Sequence, residues 1–149
     1  VELKEKKDRV EDALSATSAA VEEGILPGGG IALYRASNLL EKELEKMEFN
    51  TNDQKVGFEI LLDAIKQPFA TILSNAGLNH EVISKDLPED YKIGYDARLN
   101  EYVDMLESGI IDPTKVTRSA IENSSSVSGL MLTTECVLME EPQKEEPKK

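Results

Sequence analysis

Three consecutive glycines set between two helical patterns constrain this chain more than any other feature. They lie in Val21-Glu22-Glu23-Gly24-Ile25-Leu26-Pro27-Gly28-Gly29-Gly30-Ile31-Ala32-Leu33. A charged amphipathic segment runs in and an Ala- and Leu-rich segment runs out. Residues without Cβ let another group lie flat on the backbone, and they lose more conformational freedom on folding than any other residue. Something packed against the turn must offset that loss, either a ligand or a second segment of the chain.

The flanking periodicity dictates a mainly α fold. Leu3, Val10, Leu14, Thr17 and Val21 share one helical face, with Lys and Glu on the other and Gly24 as the C′ stop. Ile31 to Lys46 reads as a second helix. Asn52 or Asp53 is placed to cap a third, through Val56, Ile60, Leu61, Ala64 and Ile65. Pro68 is expected to interrupt it, with a fourth helix from Phe69 to Asn75 ending at Gly77. His80 to Lys85 reads as a short helical piece.

The character then changes. Ile93, Tyr95, Leu99 and Tyr102 flank Asp96-Ala97-Arg98, which predicts a small β-hairpin. Asp112-Pro113 has the form of an N-cap followed by proline at N1, opening a last helix through Val116, Ala120, Val127 and Leu130. Leu132 to Met139 is β-rich and reads as an edge strand. Glu140 to Lys149, built from Pro, Glu and Lys, reads as a disordered tail.

Composition excludes several classes. The 149 residues are 40% hydrophobic and 31% charged, which is globular. With no Trp and 5% aromatics, aliphatic side chains and alanine must fill the core. The net charge of −12 argues against nucleic acid or an anionic membrane as a partner. The single cysteine, Cys136, permits no internal disulfide and suits a reducing compartment. No segment approaches the ~20 apolar residues of a membrane span. A helical pattern already running at Val1 reads as a piece of a longer protein.

Little chemistry is legible from residue types alone. Asp12 on the first helix reads as a solvated carboxylate beside Glu11. His80 and Cys136 are each alone of their kind, so no Cys-His pair is supported. The glycine triplet is not a P-loop, because no Lys-Ser/Thr follows it. No metal-ligand pattern is present.

Several blocks, in order, resemble the C-terminal part of a group I chaperonin of the GroEL type. They are Lys6 to Leu14, Ala19 to Gly24, Pro27-Gly28-Gly29-Gly30, Gly94-Tyr95-Asp96-Ala97, Gly109 to Ala120, and Leu132-Thr133-Thr134-Glu135. The resemblance runs to about Met139. It implies that residues 1–23 are the last intermediate-domain helix and residues 24–139 the second half of the equatorial domain, with 140–149 a tail. The implied fold is a multihelical equatorial-domain-like fragment with a small hairpin and a C-terminal edge strand that pairs with a neighbouring subunit.

The resemblance also implies roles. Asp12 is the catalytic carboxylate that orients water over the γ-phosphate of bound ATP. Gly28, Gly29 and Gly30 line the ribose and adenine side of the pocket, and a side chain at Gly29 would fill it. Ile72 and Ile110 sandwich the base, Asp96 and Ala97 touch adenine from the hairpin tip, and Asp112 contacts the ribose hydroxyls. Asp96 stands where many bacterial members carry Asn, and Arg98 where a small residue is usual. Mg and K ions are implied to bind mainly through the absent N-terminal half, so the chain alone is expected to hydrolyse no ATP.

The implied partners are a homo-oligomeric ring of seven subunits, a lid cochaperonin and unfolded client proteins. The implied compartment is the mitochondrial matrix, with the bacterial cytoplasm or another organelle as the alternative. A second reading of the residues is a non-enzymatic helical interaction module whose glycine turn is only a packing device. A half-domain leaves apolar faces uncovered, so self-association of the isolated chain, partial disorder near the hairpin or a mobile first helix is expected.

Overall fold

The computed structural model describes residues 2–139. Five helices carry the fold: α1 (Glu2–Glu23), α2 (Ile31–Glu43), α3 (Asn52–Asn75), α4 (His80–Lys85) and α5 (Thr114–Leu132). Four short strands join them: β1 (Ile25–Pro27), β2 (Ile93–Asp96), β3 (Glu101–Asp104) and β4 (Ile111–Pro113). Strands β2 and β3 form the expected hairpin, with Tyr95 opposite Tyr102. Strands β1 and β4 pair antiparallel, with Leu26 opposite Asp112, a pairing the sequence did not announce because three residues show no alternation.

Helix α1 stops as its sequence dictates. Gly24 takes φ +82° and its N–H donates to the Ala20 carbonyl at 2.8 Å. Helix α2 ends at Glu43, and a single 3-10 turn, Leu44–Lys46, completes the expected segment. Helix α3 departs from expectation twice. Its N-cap is Thr51, whose side chain accepts from the Gln54 N–H at 3.3 Å, rather than Asn52 or Asp53. It also runs through Pro68 without a break. Proline leaves the Ala64 carbonyl without its donor, but Ala64 is exposed, so water can replace the lost bond. At the far end the Leu78 N–H donates to Leu73 O at 2.9 Å around Gly77 (φ +77°), a Schellman closure.

Two further expectations fail. Asp112 does not cap α5: it lies in β4, Pro113 holds the cap position, and no side chain caps the helix. The strand pairing with β1 extends the backbone one residue further than the Asp-Pro signal suggests. Residues 133–139 form no strand. A strand exists only where a ladder partner exists, and none of the described residues offers one. The tail at 140–149 lies outside the described residues.

The core sits between α2, α3, α4 and the hairpin. Ile31, Phe69, Leu73, Ile83 and Met105 are its buried side chains, with Tyr34, Tyr95, Ala97, Val103 and Ile110 packed against them. Helices α2 and α3 lie close together. The Tyr34 and Phe69 rings are 5.0 Å apart, and the buried Ser37 hydroxyl donates to Leu62 O at 2.8 Å. Helix α1 stands largely outside this core. Of its apolar face only Ala19 is buried, whereas Leu3 is 84% and Val21 82% exposed. It is held to α5 by ion pairs, Glu22 with Lys115 and Glu23 with Arg118. Among the described residues no helix is long and apolar enough to cross a membrane.

Candidate functional site

The glycine turn is built by close backbone approaches. Gly28 donates its N–H to Ile110 O at 2.8 Å, and a Cβ on Gly28 would lie 3.0 Å from the Ile110 carbonyl. Gly30 takes φ +76°, and its Cβ would lie 2.6 Å from the Phe69 nitrogen of α3, a distance no real Cβ tolerates. Two of the three glycines thus exist so that β4 and α3 can pass against the turn. Gly29 differs. At φ +66° its Cβ would meet only the Met105 Cε within 4 Å, at 3.4 Å. It is the one of the three whose Cβ position is bounded by a side chain rather than by backbone.

Asp112 flanks the turn from β4. Burial pushes its carboxyl pKa upward, while the facing Gly30 N–H pulls the other way. Gly30, Pro68, Asp112, Val116 and Thr117 are among the residues lining a largely apolar cavity of about 260 Å³ beside the turn. Ile110 and Ala97 pack half-buried against the same core cluster. Five of the expected site residues, Gly28, Gly29, Gly30, Ile110 and Asp112, therefore meet at the glycine turn, and a sixth, Ala97, packs against the same core cluster.

The other three stand differently. Ile72 is 43% exposed on α3, one residue before the buried Leu73. The Asp96 carboxylate accepts from the Arg98 N–H at 2.8 Å and the Leu99 N–H at 3.1 Å, so it is engaged in shaping the hairpin tip. Asp12 lies exposed on α1, twelve residues before Gly24, or about 18 Å along the helix axis at 1.5 Å per residue. The described residues do not bring it to the turn.

Sequence reasoning missed three residues that hold this arrangement. Met105, 1% exposed, lies beneath Gly29. Arg35 donates to the carbonyls of Pro88 (2.7 Å), Glu89 (3.3 Å) and Ile93 (2.7 Å), tying the approach to the hairpin onto α2. The Tyr102 hydroxyl donates to Ile83 O at 2.9 Å, tying β3 to α4. A glycine inside a strand, Gly94, was the one available signal, since it marks close approach of another group.

The chemistry of this residue set is selective. It offers apolar surface for a ring, backbone approach at Gly29 and a carboxylate able to accept from hydroxyls. It holds no basic side chain for phosphates. Among the described residues no group of three or more His, Cys, Asp or Glu could hold a metal ion. The set thus suits a planar apolar group with hydroxyls beside it rather than a polyanion.

A helical platform carrying a glycine turn, an antiparallel hairpin and a long flanking helix defines a chaperonin equatorial-domain-like fold. The model of the TCP-1/cpn60 chaperonin family matches residues 1–142, and the chain belongs to that family. The crystal structure of a group III chaperonin in the open state is similar, with TM-score 0.63 and 27% sequence identity. The match covers 80% of this chain and 25% of that one, so the chain spans about a quarter of that chaperonin's length.

Proposed function

We propose that this chain supplies the base-and-ribose wall of the ATP site in a ring-forming, ATP-driven folding chaperone. The observation that supports the reading is the meeting of Gly28–Gly30, Ile110 and Asp112 at one turn, with Ala97 packed against the same core cluster and no backbone blocking Gly29. In this reading residues 24–139 belong to the equatorial domain and residues 1–23 to the intermediate domain. Gly29 admits the adenine edge, Ile110, Ile72 and Ala97 cover its faces, and Asp112 accepts from the ribose hydroxyls. Asp96 keeps the hairpin tip in shape and presents Ala97.

ATP would supply the free energy for conformational switching. Asp12 acts as the carboxylate that accepts a hydrogen bond from the attacking water. Its distance from the glycine turn suits that division, because the γ-phosphate stands off from the base by the whole ribose and triphosphate. A rigid helix delivers the carboxylate, and Gly24 at its root is the residue able to absorb a change of φ and ψ. Phosphate and Mg²⁺ ligands would come from residues outside this chain. The complete protein would form a seven-membered ring, work with a lid cochaperonin and enclose unfolded clients, in the mitochondrial matrix or in a bacterial cytoplasm.

A second reading has its own observation. Gly28 and Gly30 are fully accounted for by backbone packing, which is what a pure interaction module would require. Nucleotide titration of the complete subunit separates the two. With ATP binding at Gly29, Gly29→Trp fills the approach and weakens affinity at least tenfold. Equal affinity in wild type and variant supports the packing-only reading.

A further inference from the structure

We propose that Met105 is the positioning residue that sets the width of the base-and-ribose wall, an inference that rests on the nucleotide reading above. Its side chain is where the separate parts of the wall meet. A Cβ on Gly94 of β2 would lie 2.6 Å from Met105 Cγ and 2.7 Å from Sδ. Gly94 is therefore glycine because the thioether chain crosses directly over its α-carbon. The same chain continues until Cε stands 3.4 Å from the Cβ position of Gly29. One side chain thus spans from the hairpin to the glycine turn.

The backbone of Met105 adds two more connections. Its N–H donates to Lys92 O at 2.9 Å, anchoring it to the strand that leads to Tyr95, Asp96 and Ala97. Its carbonyl accepts from the Ile110 N–H at 2.8 Å, closing the turn that delivers Ile110 and Asp112. The hairpin, the turn at Gly29 and the segment from Ile110 into β4 all take their spacing from this residue. Methionine suits the task because an unbranched chain fills an irregular gap between two backbones that approach without Cβ atoms. At 1% exposure Met105 does not itself meet a ligand, so it acts through Gly29 and Ile110.

The test is calorimetric titration of ATP and ADP into the complete subunit carrying Met105→Ala, Gly94→Ala or Met105→Leu. The first empties the space beneath Gly29, and the second displaces the thioether from above. Both should raise the Kd for ATP and ADP by the same factor, about tenfold, since the phosphate contacts lie elsewhere. Met105→Leu, of similar volume, should stay within about threefold of wild type. Binding stoichiometry separates positioning from simple loss of fold. A positioning role raises Kd at unchanged stoichiometry, whereas a purely structural role lowers stoichiometry at unchanged Kd and overturns the proposal. If Met105→Ala does not fold, Gly94→Ala decides: a wild-type Kd there overturns it. A wild type that binds no nucleotide would instead remove the underlying nucleotide reading.

Discussion

Gly30→Ala tests how the glycine turn is held together. Two costs add at this position. A non-glycine residue at φ +76° pays about 1–2 kcal/mol for the left-handed backbone. The new Cβ also falls 2.6 Å from the Phe69 nitrogen, and the atom it meets is the backbone of α3 rather than a flexible side chain. Forcing such a contact costs about 1–3 kcal/mol more, because α2 or α3 must shift. The sum, roughly 2–5 kcal/mol, is a large part of the ~5–15 kcal/mol that holds a domain together.

Gly24→Ala is the matched control. Gly24 has nearly the same φ, +82°, but its Cβ would meet nothing within 4 Å, so only the first cost applies. Urea unfolding followed by far-UV circular dichroism gives both values. The expected result is a Gly30→Ala variant about 1–3 kcal/mol less stable than Gly24→Ala. Equal stability of the two variants would refute the claim that α3 packs against the turn.

Three other perturbations have definite expected outcomes. Asp112 is held above the ordinary carboxylate value of 3.8 by burial, so between the two values the folded state binds more protons than the unfolded one. Stability therefore falls as pH rises through that window, and Asp112→Asn should flatten this slope without lowering the unfolding midpoint at pH 7. Glu23 behaves oppositely: the hydrogen bond from Arg118 holds it below 4.5, so its contribution is present above that value and is lost as pH falls through the depressed one. Protection factors in α1, taken after dividing out the intrinsic pH dependence of amide exchange, should fall on acidification in wild type, and Arg118→Gln should show the lowered protection already at pH 7. Tyr102→Phe strands the bond to Ile83 O and should cost about 1 kcal/mol, read as faster exchange in α4.

The sequence carried most of the helical fold because its stops are local. Gly24 and Gly77 end helices through their own positive φ, and Asn79 caps α4 through its own side chain, which accepts from the Glu81 N–H. The errors fall where distant backbone decides. Asp112 is drawn into β4 by Leu26, eighty-six residues earlier, and no Asp-Pro rule contains that partner. Pro68 interrupts nothing because Ala64, whose carbonyl it orphans, is an exposed residue, a property of burial rather than of sequence. The strand expected at 132–139 had no partner on which to form.

The candidate site divides in the same way. The glycine triplet announced a close approach, but residue types did not say whether a ligand or the chain itself made it. The structure sets Gly28 and Gly30 against backbone and Gly29 against only the Met105 side chain. Met105 escaped notice because a buried methionine looks like ordinary core. Its role becomes visible only when the missing Cβ atoms of Gly94 and Gly29 are seen to lie along one thioether.

In the proposed function adenine rests on the wall made by the glycine turn, the hairpin tip and the segment Ile110–Asp112. Photolabelling the complete subunit with 8-azido-ATP, followed by peptide mapping, addresses it directly. The expected result is label on peptides containing Gly28–Gly30, Asp96–Ala97 or Ile110–Asp112, abolished by excess unmodified ATP. Competable label confined to other peptides would contradict it.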